Sequence, residues 1–440
     1  MISQCPIYRT QYRTYPEQKK NDSDCVHVGP RGRRLEANAV AGHIMPDLLN
    51  ASGVVIKRGR NTVLNGFDFN LKGGEVVVLA GENGCGKSTV IEACAGLIDL
   101  EEGSIKTREQ IIRDSEGRHG RSDSPFGLCL QSDCVMGDEL VKERIDDVAA
   151  LCGKSFDSQS LLQQWDLGHR SQDRIASLSK GQRRKVAVLC GVLPSAIADE
   201  PTVILLDEPD AGLDEGSVSR LSGLVRDIAD GGHGILIASH NPEIIACADR
   251  VITFDDSIVE TAPSDGVKWK INSEPVKKSN IGNRLDRRTL GSLSQNIIPG
   301  MLVIGALLAL SDPTQFDSKM QTGAILAPAL AAGLCGEPIS ARLSESRSGD
   351  WWRSMKTIPP NALLHVLVGC ALLTTLACTL FGEPDYTLIA VGGGLGMITA
   401  SVILVIHQAT LRLQRPNALM IRLLTPALIL PWAILVDRLA

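Results

Sequence analysis

The stretch "GENGCGKST", residues 81–89, limits what this chain can fold into more than any other. It lies between the apolar run "EVVVLA" and "VIEACAGL", so it reads as a strand, a glycine-rich turn and a helix. The turn fits G-x-x-x-x-G-K-[ST] at Gly81, Gly86, Lys87 and Ser88. Gly81, Gly84 and Gly86 let the backbone curl so that successive N–H groups face phosphate oxygens, with the next helix's N-terminus behind them. On this pattern Lys87 reaches the β and γ phosphates and Ser88 Oγ ligates Mg²⁺, with Asn83 and Thr89 completing the lining.

From residue 48 to about residue 260, short β-branched runs alternate with longer mixed segments, the pattern of βα units around a largely parallel sheet. "TVILLDE" and "GILIASH" are further buried strands that end in polar residues, where open α/β sheets place their ligands. At the tip of the first, Asp207 is expected to hold Mg²⁺ through water. Its neighbour Glu208 is the candidate general base for an attacking water.

"LSKGQRR", residues 178–184, resembles the LSGGQ signature of the ATP-binding cassette (ABC) family. Other parts of that family's pattern follow in order: Gln131 in "LCLQSD" resembles the Q-loop, "DAGLD" (residues 210–214) the D-loop, and His240 in "ASH" the switch histidine. The resemblance implies an α/β P-loop NTPase with a helical subdomain, with ATP and Mg²⁺ as its ligands. It implies that two cassettes pair head to tail, so that Ser179, Gly181 and Gln182 of one close on the γ-phosphate held by Lys87 of the other. It gives Gln131 a place at Mg²⁺ or the attacking water, His240 a contact with the γ-phosphate and Asp214 a role in ordering the pair. Two positions depart from the family pattern: Lys180 replaces a signature glycine, and Arg58 stands where a tyrosine often stacks on adenine. A guanidinium can stack on a base as well, so Arg58 is the expected base contact, and GTP is a second candidate nucleotide.

The last third of the chain is different material. Nearly all the charge lies before about residue 290, and five apolar segments follow: residues 293–310, 322–336, 362–381, 386–406 and 423–436. A helix needs about 20 apolar residues to cross a bilayer, and three of the five have that length. The expected organisation is a disordered extension at 1–44, a cassette at 45–262, a linker and interfacial helix at 263–292, and an all-α transmembrane domain at 293–440 with five or six helices. Pro426 and Pro431 mark the last segment as a broken or re-entrant helix.

With the cassette in the cytoplasm, the inner loops hold Arg342, Arg347, Arg353, Lys356, Arg412, Arg415 and Arg422, while the outer loops hold one lysine and four acids. This balance places the N-terminus inside and the C-terminus outside a multi-pass protein of the plasma membrane. The inner loop at 340–360 is the expected coupling segment. Its basic residues, Arg347 and Arg353 foremost, are expected to meet Asp133, Asp138 and Glu139, which follow Gln131. Trp351 and Trp352 read as membrane-interface anchors.

The twelve cysteines form no C-x-x-C pair and read as reduced thiols of a cytosol-facing protein. The net charge of −5 argues against a dedicated nucleic-acid binder. A single cassette lacks the second signature its ATP needs, so the chain is expected to act as an ATPase paired with itself or with a paralogous ABC subunit, in a lipid bilayer. The run "RGRNTVLNGFDFNLKGGEVVVLAGENGCGKST", together with "LSKGQRRKVAVL", is similar to the haem-exporter ATPase of cytochrome c biogenesis, which implies haem export with cytochrome c maturation membrane proteins as partners. Export of lipids, drugs or other amphipathic molecules is the alternative, and ATP-driven remodelling of a membrane partner complex without transport is another. His365 and His407 lie at the inner ends of two apolar segments as candidate, though unremarkable, haem ligands.

Overall fold

The computed structural model describes residues 46–108, 110–120, 122, 124–254, 258–260, 271, 273–276, 282–356, 362–412 and 427–440. The expected N-terminal extension and residues 263–270, 272 and 277–281 of the expected linker lie outside the described residues. The first part of the chain runs β1 (Asp47–Arg58), β2 (Asn61–Lys72), β3 (Val76–Ala80), α1 (Lys87–Cys94), β4 (Glu102–Thr107), β5 (Gln110–Asp114), β6 (Gly127–Cys129), α2 (Val141–Leu151), β7 (Lys154–Ser155), α3 (Ser158–Gln164), α4 (Lys180–Ala196), β8 (Val203–Asp207), α5 (Glu215–Asp230), β9 (Gly234–Ala238), α6 (Pro242–Ala246), β10 (Arg250–Thr253), β11 (Ile258–Glu260) and β12 (Glu274–Pro275). There follow α7 (Gly282–Leu310), α8 (Ser318–Leu334), α9 (Pro338–Glu345), α10 (Ser348–Ser354), α11 (Leu363–Phe381), α12 (Tyr386–Arg412) and α13 (Ile429–Leu439).

The apolar runs of the first part become the middle of a six-stranded sheet, in the order β11-β10-β3-β9-β8-β6. β10, β3, β9, β8 and β6 are parallel and β11 is antiparallel. β3, β8 and β9 read as continuous Val, Ile and Leu because helices cover both faces of the sheet, and these side chains are buried. A second, antiparallel sheet has the order β2-β1-β4-β5. Beyond the cassette strands, β12 returns to pair with β7, and Val276 N donates to Gly153 O at 2.9 Å. Residues 274–276 of the expected linker are thus tied to the cassette.

The later helices form two smaller cores around α8, which packs against α7, α11, α12 and α13. Glycines allow the close approach: a Cβ on Gly333 would come within 2.6 Å of Gly396 O, which lies on α12 in the run "GGGLG". Small residues at helix contacts are how apolar helices pack where no water drives them together. α11 turns Leu364, Val368, Leu372, Leu376 and Leu380 outward at four-residue spacing, while Val366, Cys370, Leu373 and Ala377 face the core. Leu363–Phe381 and Tyr386–Ile406, with mean hydropathies of 2.1 and 2.3, are the two helices among the described residues long and apolar enough to cross a membrane.

The helices also have a consistent polarity. Near the cassette, Asn296 donates to Ala332 O and Gly336 O, both at 2.8 Å, and Glu337 accepts from Ala362 N at 2.6 Å. At the other end, Gln321 donates to Phe381 O at 2.8 Å, Lys319 pairs with Asp437 at 2.5 Å, and Ser318 Oγ donates to Ala440 O at 2.7 Å. The loop after α7, the loop after α11 and the C-terminus therefore share one end. α7 is one continuous helix through the expected interfacial stretch and the first apolar segment. Pro431 sits in the first turn of α13, where its missing N–H costs no hydrogen bond, and the helix is interrupted at Leu428 just before it, so a break does fall within the last apolar segment. The Pro426 side of that expectation lies outside the described residues.

The expected coupling loop forms two short helices, α9 and α10, and Trp351 and Trp352 are not membrane anchors. Both are buried in the cassette core together with Ile339, Leu343 and Met355. Trp351 Nε1 donates to Cys190 O at 3.2 Å, and the buried Arg144 guanidinium lies 3.8 Å from the Trp351 ring centroid. Apolar walls and a cation over the ring fit a buried indole at this place. Replacing Trp351 by Ala is expected to destabilise the cassette by about 3–5 kcal/mol, seen as a large fall in the denaturation midpoint. Leu364→Ala on the exposed stripe is expected to change stability by less than about 0.5 kcal/mol.

Candidate functional site

The turn between β3 and α1 is built on left-handed glycines: φ is 144° at Gly81, 89° at Gly84 and 115° at Gly86. At Gly86 the space is also tight, since a Cβ would lie 3.3 Å from Val63 and 3.4 Å from Phe254. The turn is open where an anion would sit, with Asn83 and Gly84 exposed, and closed underneath by buried Thr89. Lys87 Nζ donates to Gly81 O at 2.7 Å and to Glu82 O at 2.8 Å, which holds the ammonium inside the turn. Glycine N–H groups, a helix N-terminus and a lysine together fit a polyphosphate.

Ser88 Oγ donates to Asp207 Oδ1 at 3.0 Å, which brings α1 and the end of β8 together. Asp207 is 2% exposed. Burial holds its carboxyl above the usual range, and the charges of Glu208 and Glu92 add to the effect against the Ser88 hydrogen bond. A hydroxyl and a carboxylate with unmet negative charge are hard oxygen donors, the set that Mg²⁺ prefers. The site therefore fits Mg²⁺ held by Ser88 and Asp207. Glu208 has a left-handed backbone, φ 47°, fixed by its N–H donating to Ala238 O at 2.8 Å. Gln131 Nε2 donates to Glu208 Oε2 at 3.3 Å. Four residues singled out in the sequence, Ser88, Gln131, Asp207 and Glu208, are thus one cluster.

A second cluster lies at the N-termini of α4 and α5. Ser179 caps α4 in a reciprocal pair with Gln182, at 3.1 and 3.2 Å. Gly181 has no room for a side chain, since a Cβ would lie 2.7 Å from Gly212 O of the "DAGLD" turn. Asp214 caps α5 through Ser217 and pairs with Lys185 at 3.3 Å. The Ser217 hydroxyl, its N–H and Lys185 pull the Asp214 carboxyl down to about 2. Among the described residues no hydrogen bond joins this cluster to Lys87 or Ser88. Exposed His240 follows Ser239, whose hydroxyl donates to Asp210 at 2.8 Å and so ties the histidine turn to the "DAGLD" turn.

Arg58 makes an ion pair instead of standing free for a base: it bonds Glu92 of α1 at 2.6 Å. The expected charge contact of the coupling segment forms in a different arrangement. Arg342 pairs with Asp138 at 3.2 Å, Arg347 pairs with Glu92, and Arg353 pairs with Asp350 of its own helix at 3.4 Å. Asp133 and Glu139 serve buried arginines of the cassette, Arg184 at 3.6 Å and Arg144 at 3.2 Å. These acids stabilise guanidinium groups that cannot reach water, so they are not available to the loop. His365 lies on α11, partly buried, and the His407 side chain lies outside the described residues.

Sequence reasoning missed Arg184, Glu92 and Arg144. Arg184 donates to Leu130 O at 2.8 Å, Asp207 O at 2.6 Å and Glu208 O at 2.7 Å, and so ties α4 to the ends of β6 and β8. In the sequence it is one of three adjacent basic residues. Its place on the inward face of α4, among Val188 and other buried positions, was the available signal.

A family model described as "ABC transporter" matches residues 64–211. An uncharacterized ABC transporter ATP-binding protein of Rhizobium meliloti is 30% identical over 237 residues, 51% of this chain and 85% of that protein. One of Mycobacterium tuberculosis is 28% identical over 50% of this chain and 68% of that protein. The macrolide export ATP-binding/permease protein MacB of Shigella flexneri is 29% identical over 50% of this chain and 35% of its own length. A solved ATP-binding subunit of an ABC transporter aligns over 55% of this chain with a TM-score of 0.38 and 21% identity. With the phosphate turn and the cluster of Ser88, Gln131, Asp207 and Glu208 in place, the chain belongs to the ABC transporter family, as an ATP-binding, ATP-hydrolysing component.

Proposed function

We propose that the chain is half of an ABC exporter that moves amphipathic molecules and works as a head-to-tail pair with a second copy. In this reading residues 45–262 are the cassette, 263–292 the connection and 293–440 the membrane part. The observation that carries it is the coupling segment, because α9 and α10 rise from the helical bundle and bury two tryptophans in the core of the ATPase. A movement of the cassette is then a movement of the helices.

Lys87 leaves its loop carbonyls for the phosphates, and Glu208 polarises the attacking water, with Gln131 orienting the carboxylate. Mg²⁺, where Ser88 and Asp207 would hold it, supplies charge neutralisation at the phosphate oxygens. His240 donates to the γ-phosphate. Ser179 and the N-terminus of α4 supply donors to the site of the other copy, in keeping with their separation from Lys87 within one chain.

Membrane crossing is supported by the outward stripe of α11 and by the bond of Ser318 to Ala440 O, which keeps the C-terminus beside the loop after α7. With the cassette cytoplasmic, the C-terminus lies outside, in the plasma membrane. Among the described residues the buried polar side chains of α7, α8, α11 and α12 are Asn296, Thr322, Thr374 and Thr399, all uncharged. Such walls suit a cargo with a large apolar surface. Haem, implied by the cassette resemblance, and a macrolide, the cargo in the name of MacB, are the two probes of that class.

The test is ATP-driven uptake into inverted proteoliposomes holding the full chain, with Glu208→Gln as the blank. Glu208→Gln is expected to lower hydrolysis by about 10²–10⁴-fold and to abolish uptake. Brisk ATP hydrolysis with no transport of either probe would sink the exporter reading in favour of partner remodelling.

Two further outcomes follow from the site. Lys87→Ala and Ser179→Arg chains are each expected to be inactive, and mixing them is expected to restore roughly a quarter of the wild-type sites, because a mixed pair holds one intact composite site. Failure of the mixture to recover any hydrolysis would remove the head-to-tail self-pair. Asp207 titrates above the unfolded carboxyl, so its ionised form costs stability, most at high pH, and the cost fades as pH falls below the unfolded value. Asp207→Asn is therefore expected to raise the Tm of the metal-free protein at neutral pH while removing stabilisation by Mg-ATP. A scan with and without Mg-ATP checks both.

A further inference from the structure

Glu92 lies on α1, five residues after Lys87, with its side chain 11% exposed. Its two oxygens face different parts of the molecule. Oε2 accepts from Arg58 at 2.6 Å, and Oε1 accepts from Arg347. Arg58 ends β1 with its side chain 50% exposed, at the position where the family resemblance expects a contact with the nucleotide base. Arg347 begins α10, in the segment that joins the helical bundle to the cassette, and Asp350 steadies it at 3.0 Å. One nearly buried carboxylate is therefore divided between a guanidinium on the nucleotide side and a guanidinium on the coupling side.

We propose that Glu92 is a positioning residue that links nucleotide occupancy to the coupling segment by changing which arginine it holds. The inference rests on the reading that Arg58 meets the bound nucleotide. When ATP draws Arg58 onto its base or phosphates, the carboxylate is left to Arg347, and their attraction strengthens because it is no longer shared. Partial burial keeps water from screening the exchange. Linkage makes the effect reciprocal: a docked Arg347 lowers the cost of releasing Arg58 and so tightens ATP binding. This route runs through α1 and is separate from the Gln131–Glu208 contact.

The test is equilibrium binding of a non-hydrolysable ATP analogue to the full chain in nanodiscs, as a double-mutant cycle of Arg347→Gln and Arg58→Gln. Arg347→Gln alone is expected to weaken binding at least about fivefold, the low end of ordinary coupling between sites. In the Arg58→Gln background, or with Glu92→Gln, the same change is expected to move the Kd less than about twofold, since there is no shared carboxylate to redistribute. Arg347→Lys, which keeps the charge and the docked segment, is expected to restore at least half of the lost affinity, and this separates the effect from a failure to fold. An unchanged Kd in Arg347→Gln, or an equal loss in both backgrounds, would overturn the proposal and leave Arg347 as a docking residue only. If Arg58→Gln by itself leaves the Kd unchanged, the assignment of Arg58 to the nucleotide falls and the proposal falls with it. A loss on Arg58→Gln that simply adds to that of Arg347→Gln overturns the proposal alone.

Discussion

Three carbonyl groups at the ends of two parallel strands converge on one guanidinium. Arg184 is 3% exposed and bonds Leu130, Asp207 and Glu208 through their main chains, with Asp133 as its nearest counter-charge. The strand ends that carry Gln131, Asp207 and Glu208 are thereby fixed to α4, the helix that begins after Ser179. A charged group buried this deeply must be satisfied by several partners, and removing one side of such an arrangement typically costs about 3–5 kcal/mol. The remaining geometry of the site depends on it: Glu208 keeps its left-handed backbone, Gln131 reaches Glu208, and Asp207 faces Ser88.

The second dependence runs between the ATPase and the helical bundle. Part of the closure of the cassette core comes from residues 339–355, beyond the first long apolar helix. Arg144 lies over Trp351 and bonds Glu139, and Trp351 bonds the main chain of α4. The signature helix, the helix that carries Arg144 and the coupling segment thus share one patch of core. A shift of α4 would therefore act directly on α9 and α10, because packed cores switch between arrangements more readily than they deform.

Much of the nucleotide half was legible in the sequence because its chemistry is local. A glycine turn before a helix, an acid pair after four buried aliphatic residues, and a serine three residues before a glutamine each predict their own geometry from adjacent residues. The helical third was legible as apolar segments for the same reason, and the described residues of those segments fall largely in helices. Contacts between distant parts of the chain were not legible. "WW" followed by Arg, Ser and Met has the composition of a membrane boundary, and its burial in the cassette depends on a cation and a wall of aliphatic residues some 150 to 210 positions earlier. Likewise, the acids after Gln131 were expected to meet the arginines of the later loop, but only Asp138 does, through Arg342, because buried arginines of the cassette take the other two.

The sequence by itself determined the phosphate turn, the acids at the strand tips, the capping box of the signature helix and the alternation of soluble and apolar material, because each is written in residues close enough to fix one another's conformation. Tertiary structure alone decided how a limited set of charges was divided. Arg184 and Arg144 went inside, where only main-chain carbonyls and a few carboxylates satisfy them, and Glu92 was left between Arg58 and Arg347. Pairing of charges depends on distance and burial, and neither exists until the sheet, the helical subdomain and the coupling segment have packed together.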